Sequence, residues 1–249
     1  MNTVKSFPNN LRFSTFTYPS DGETVAGVMV APTGNGPFPV IIYNRGGRNG
    51  FGAITPPTIT GFLADLASAG YLVIASQYRG GPGSTGKDEW GGADVNDVLN
   101  LLPIIDALPN ADAKRIGMVG VSRGGMMTYL ALLKIDRIKA AVTVGGVFDL
   151  QRNAAQRPGM SEVFKECFGG SPASMVERSA IHLPAPATIA PLLLLHGSED
   201  VRVDPRDATE LVAKLPNAHA VVVEGGNHGL TNRWDVRMKE ILAWLEKYV

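Results

Sequence analysis

The chain carries one cysteine, Cys167, among its 249 residues. An internal disulfide and a cysteine-based zinc site are both excluded. Neither sign of charge is in excess: 23 Lys+Arg stand against 23 Asp+Glu, a formal net charge of zero. A nucleic-acid or anionic membrane partner normally calls for a basic surplus, so both are expected to be absent. Long apolar stretches are missing as well. Runs such as Pro191 to Leu195 fall far short of the roughly 20 residues that a spanning helix needs. The start, Met1 to Asn10, has no apolar segment followed by a small-residue cleavage site, so no signal peptide is expected. The sequence reads as a cytoplasmic protein.

Glycine (29) and proline (17) are plentiful, spread as punctuation between apolar runs. They mark turns and loops, and no linker or repeat is visible, so one domain over residues 1–249 is expected. That length buries a real core without a disulfide or a structural metal. Runs rich in Phe, Thr and Val on either side of Ser20-Asp21-Gly22 predict an antiparallel hairpin over Leu11 to Ala31. Apolar strands are then expected at Pro39 to Tyr43, Tyr71 to Ser76, Arg115 to Gly120, Ile138 to Val144, Pro191 to His196 and Ala220 to Glu224. Helical patterns fall at Thr58 to Ala69, Ala93 to Leu108, Gly124 to Leu133, Pro205 to Leu215 and Asn232 to Tyr248, with Pro103 predicting a kink or break in the second. Continuous apolar strands alternating with helices mean an α/β fold, a mainly parallel sheet covered on both faces. Between Phe148 and Ala187 the alternation lapses. Short helices are expected there at Ser161 to Cys167 and Pro172 to Arg178, as a small cap insertion at about 148–187 over the site.

Gly120-Val121-Ser122-Arg123-Gly124 fits G-x-S-x-G where an apolar strand gives way to a helix, the context of a nucleophile elbow. The bland alternative is an ordinary glycine-rich turn. Serine needs a base and an orienting acid, and two loops after strands supply them. One is Gly197-Ser198-Glu199-Asp200, where Glu199 and the nearby Asp204 compete with Asp200 for the acid. The other is Gly225-Gly226-Asn227-His228-Gly229. Ser122, Asp200 and His228 form the proposed triad. His196 reads as a structural hydrogen-bonding residue, His182 falls in the cap and His219 before a strand. No histidine spacing suits a metal, and no metal or cofactor is expected. Gly81 to Gly86 matches the dinucleotide fingerprint G-x-G-x-x-G, but six residues intervene before a helical pattern begins, so a nicotinamide site is rejected.

These residues resemble the α/β-hydrolases of prolyl oligopeptidase type, which include acylaminoacyl peptidases and short esterase-like members. The resemblance runs from about Asp21 to the C-terminus. It rests on Tyr78-Arg79-Gly80, Gly83 to Gly86, Trp90-Gly91, Asp94 to Asp97, Arg115-Ile116-Gly117 and Gly120 to Gly125. His196-Gly197-Ser198-Glu199-Asp200-Val201-Arg202-Val203-Asp204-Pro205 resembles the family's H-G-x-x-D-x-x-V-x-P. The resemblance implies Asp200 as acid and His228 as base. It also implies an oxyanion loop at Tyr43 to Gly47, with Arg45 where relatives often have tyrosine or histidine. The peptide-screening β-propeller of the oligopeptidases is not expected in 249 residues.

Ser122 would then attack an acyl carbonyl and form an acyl-enzyme that water releases. The oxyanion donors are expected to be the backbone N–H of Arg123 and one within Arg45, Gly46 and Gly47. Four functions compete. Hydrolysis of esters with small or medium acyl groups comes first, and a peptidase or amidase on short or blocked peptides second. A non-catalytic binding module and a nicotinamide-dependent oxidoreductase follow. The expected partner is a small ester or short acyl substrate, and a homo-oligomer is left open. The side chains of Arg45 and Arg123 carry two readings: a clamp for a carboxylate on the substrate, or structural ion pairs, which are commoner.

Overall fold

A computed structural model describes residues 9–249; most of the Met1 to Asn10 stretch read for a leader lies outside the described residues. The chain opens with β1 (Leu11–Ser20) and β2 (Glu23–Pro32), paired antiparallel from Leu11 opposite Pro32 to Ser20 opposite Glu23. Asp21 and Gly22 both have positive φ (51° and 87°), the tight turn that an Asp-Gly pair favours. Then come β3 (Phe38–Asn44), β4 (Leu72–Ser76), β5 (Ala111–Val121), β6 (Ile138–Val144), β7 (Leu192–Gly197) and β8 (Ala218–Val223). The eight strands form one sheet in the order β1-β2-β4-β3-β5-β6-β7-β8, and all pairings from β4 to β8 are parallel.

Successive residues of these strands enter different cores. Val40, Ile42, Leu72, Ile74 and Met118 pack on one face, and Ile41, Val73, Val119, Val142 and Leu193 on the other. Burial on both faces is why the strands read as unbroken apolar runs. The covering helices are α1 (Pro56–Thr58) and α2 (Ala64–Ser68), joined by a π-helical turn, then α3 (Asp94–Leu99), α4 (Leu102–Ala107), α5 (Arg123–Leu132), α9 (Arg206–Val212) and α10 (Trp234–Tyr248). Pro103 sits in the first turn of α4, where its missing N–H is harmless, and the long helical pattern divides there. Between β6 and β7 lie α6 (Leu150–Gln156), α7 (Gly159–Phe168) and α8 (Pro172–Val176).

From β3 the chain steps to β4 on one side and returns to β5 on the other, so the crevice of the sheet opens between β3 and β5 at their C-terminal ends. Close approach there depends on Gly124 in the first turn of α5. A Cβ on it would collide with the Asn44 carbonyl at the end of β3, a backbone atom that cannot rotate aside. Gly124→Ala is expected to cost at least about 2 kcal/mol, lowering the calorimetric melting temperature by about 4–8 °C. An unchanged melting temperature would contradict this packing.

Candidate active site

Ser122 is the single residue between β5 and α5. Its φ of 58° and ψ of −122° are strained for a residue with a Cβ, and the fold holds it there. The Ser122 N–H donates to Val144 O (2.8 Å) on β6, and Ser122 O accepts from Gly125 N–H (2.8 Å). The flanking glycines have the job expected of them. A Cβ on Gly120 would run into the Gly124 carbonyl and Thr128 Oγ1 of α5. Strand and helix can meet at this angle only without those side chains.

The loops after β7 and β8 bring the other two groups. They lean on each other through Glu199 N–H to Gly226 O (2.9 Å) and Gly225 N–H to Ser198 Oγ (2.9 Å). His228 Nε2 lies 2.9 Å from Ser122 Oγ, and His228 Nδ1 lies 2.8 Å from Asp200 Oδ2. Asp200 is nearly buried and accepts four hydrogen bonds: Arg202 and Val203 N–H on Oδ1, His228 and His196 on Oδ2. Burial by itself would raise its carboxyl, but the bonds from His196 and His228 outweigh that and hold it well below the usual carboxylate range. It is an acceptor throughout the neutral range, which fixes the proton of His228 on Nδ1 and leaves Nε2 free to accept from the serine hydroxyl. Asp204, by contrast, is tied to Arg206 and Gln156. His196 Nε2 faces two acceptors, Asp200 Oδ2 at 2.9 Å and Val203 O at 3.1 Å, so it carries a proton. Its structural role was legible in the sequence; its contact with the acid was not.

Arg237 supports the histidine loop from behind. It donates to Gly229 O (2.9 Å) from between the rings of Phe62 and Trp234, and burial pushes its guanidinium down to about 10. Trp234 lies one turn earlier on the same helix, but Phe62 and the Gly229 carbonyl come from other elements, so the local sequence alone does not mark the role.

Of the two readings of Arg45 and Arg123, the carboxylate clamp is not formed. Both side chains are fully buried and already bonded. Arg45 donates to four backbone carbonyls, those of Gly46, Asn49, Phe51 and Gln77. Arg123 bridges Asp88 (2.6 Å) and Asp94, and donates to Gly47 O (2.8 Å). Both guanidinium groups also lie about 5 Å from the Tyr78 ring. Burial would lower the Arg123 pKa, but Asp94 and Asp88 hold it above its ordinary value; burial raises Asp94, which Arg123 opposes. The structural ion-pair reading holds for Arg123; Arg45 is structural too, but through backbone carbonyls and without an acidic partner. These arginines shape the loop over Ser122, and Gly46 lies so near that a Cβ on it would sit 3.1 Å from Ser122 Cβ. Arg79 and Asp97, motif residues of unassigned role in the sequence, form a second buried pair at 2.8 Å.

Beside Ser122 and His228 opens a cavity of about 250 Å³, lined by Phe51, Trp90, Val147, Met160 and Val163 and by Arg48, Arg157 and Arg202. The Gly81 to Gly86 loop lies elsewhere: Ser84 and Thr85 bond to β2, and no helix opens at its glycines. Among the described residues no group of His, Cys, Asp or Glu could hold a metal, and no helix is long and apolar enough to cross a membrane. His219 lies within β8, its ring against Trp244, and Cys167 is buried beside Arg48.

Sheet order, elbow and loop placement define an α/β-hydrolase. The description of the prolyl oligopeptidase family matches residues 61–249, and the chain belongs to that family of serine hydrolases. It is 31% identical over 225 residues to the uncharacterized peptidase YtmA of Bacillus subtilis, spanning 88% of this chain and 86% of that one. It is 28% identical over 208 residues to dipeptidyl-peptidase 5 of Porphyromonas gingivalis, spanning 74% of this chain but 29% of the relative. The fold is similar to Pyrococcus horikoshii acylaminoacyl peptidase (TM-score 0.78, 22% identity, 97% of this chain and 42% of that chain). It is also similar to a Pyrococcus furiosus esterase (TM-score 0.75, 18% identity, 96% of this chain and 92% of that chain).

The buried cluster gives a stability test. Arg123→Gln strands Asp88 and Asp94 without a partner and is expected to cost about 3–5 kcal/mol. Adding Asp88→Asn and Asp94→Asn should recover much of the loss in urea denaturation. A single variant as stable as wild type would contradict the cluster's role.

Proposed function

We propose that the chain is a serine carboxylic ester hydrolase acting on small or medium acyl groups through an acyl-enzyme. The observation that carries this is the continuous chain from Ser122 Oγ through His228 to Asp200 at 2.9 and 2.8 Å, opening on a cavity. Ser122 Oγ attacks the acyl carbonyl while His228 Nε2 takes its proton. The tetrahedral oxyanion faces the N–H of Arg123, which as the first residue of α5 has no intrahelical acceptor, and an N–H of the Arg45 to Gly47 loop. Collapse returns the proton from His228 to the leaving alcohol, and the same imidazole then activates water against the acyl-enzyme. Asp200 stabilises the imidazolium that forms. His196, sharing Asp200 Oδ2, and Arg237, holding Gly229, are positioning residues.

The small, mostly apolar cavity supports the ester reading, because it lies at or below the roughly 300–1,000 Å³ of drug-sized sites and suits a short acyl chain. A second reading, a peptidase or amidase on short or blocked peptides, is favoured by the names of the relatives, among them a peptidase spanning most of this chain. Rates on p-nitrophenyl butyrate and on an aminoacyl p-nitroanilide separate the two. The ester is expected to lead in kcat/KM by at least about 10²-fold, a differential transition-state preference of about 2.7 kcal/mol, and Ser122→Ala to abolish turnover of both. Comparable efficiencies would put the peptidase reading first, and full activity in Ser122→Ala would refute the nucleophile.

A further inference from the structure

The three arginines in the cavity wall are placed differently. Arg48 is paired with Glu166 at 2.6 Å. Arg157, half-buried after α6, and Arg202, exposed after β7, have no side-chain hydrogen bond or ion pair among the described residues. No Asp or Glu lines the cavity. The two guanidinium groups are near enough to act on each other: burial lowers the Arg157 pKa first, the Arg202 cation lowers it further, and Asp200 opposes both. Asp200 is already committed to four hydrogen bonds, so it gives Arg157 a nearby negative charge but no hydrogen-bond partner.

Asn153 joins the pair. It is 2% exposed, its Nδ2 donates to Arg202 O (2.8 Å) and its backbone carbonyl accepts from Arg157 N–H (3.0 Å). The bond to Arg202 O fixes the orientation of the amide, and Oδ1, in a residue that lines the cavity, is left with no partner among the described residues. Asn153 thereby sets the backbone of both arginines at the wall, while Oδ1, an acceptor, takes no part in holding an anion. Unpaired guanidinium groups present planar donors matched to a carboxylate.

We infer that Arg157 and Arg202 form a carboxylate subsite, so that the preferred substrate is an ester or amide carrying a free carboxylate near the scissile bond. This rests on the hydrolase reading for its chemistry but not for its binding. It replaces Arg45 and Arg123, whose charges are spent inside the protein, with two arginines that face the cavity.

Two ester pairs place the carboxylate. Mono(4-nitrophenyl) adipate against 4-nitrophenyl hexanoate puts it on the acyl side, and 4-acetoxybenzoate against phenyl acetate on the leaving group. One of the two charged-to-neutral ratios of kcat/KM is expected to be at least about tenfold in wild type. It should fall towards one in Arg157→Gln and Arg202→Gln, be partly kept in Arg157→Lys, and shrink in wild type as salt is raised. Calorimetric binding of adipate, with adipamide as neutral control, reads the subsite without turnover. Adipate should bind at least about tenfold more tightly, a preference lost in the Gln variants. Adipate binding without hydrolysis of any ester would overturn the proposed function and leave the subsite standing. Hydrolysis with both ratios near one, equal affinity for adipate and adipamide, or a preference that survives both substitutions would overturn the subsite.

Discussion

Arg123 between Asp88 and Asp94 is the interaction on which the site depends. A buried guanidinium group is tolerated when its charge is met by fixed partners, here Asp88 and Asp94 on the two terminal nitrogens of Arg123, and each partner is thereby fixed in return. Arg123 directly follows Ser122, so the ion cluster anchors the elbow. Its third bond, to Gly47 O, ties the loop after β3 to that anchor. Arg45 completes the arrangement by gathering four carbonyls of the same region, and Tyr78 lies against both cations. The distance between Ser122 and the loop above it is thus set by buried electrostatics, behind the cavity that substrate enters.

The second constraint lies on the other side of the serine. Asp200 receives two imidazoles and two backbone amides, so its carboxylate has no freedom to turn. His228 is held at Nδ1 by that carboxylate, and the loop carrying it is held by Arg237 through Gly229. Orientation comes from bonds that substrate never touches, which is how a loop residue can be placed to within hydrogen-bond tolerance of its partner.

Much of this was legible in the sequence, and the reasons differ by element. The central strands announced themselves because residues buried on both sheet faces leave few polar interruptions, and Asp21-Gly22 marked the hairpin through its need for positive φ. G-x-S-x-G was readable because each glycine answers a steric demand. The first residues of β5, Ala111 to Lys114, were missed because Asp112 and Lys114 interrupt the apolar pattern and none of the four is fully buried, and α6 because Leu150 to Gln156 has too few apolar residues to show a period. The direction of an arginine cannot be read locally. Arg123 is buried by carboxylates 35 and 29 positions earlier, whereas Arg157 and Arg202 meet at the cavity from segments on either side of β7.

The most direct test of the account is covalent. A fluorophosphonate traps only a serine whose hydroxyl is activated in place, so the folded protein should gain one phosphonyl group, mapped by tandem mass spectrometry to the peptide containing Ser122. Labelling should be greatly slowed in His228→Ala and lost on unfolding. A label on any other residue, or undiminished labelling without His228, would contradict the assignment of Ser122 as a nucleophile activated by that histidine.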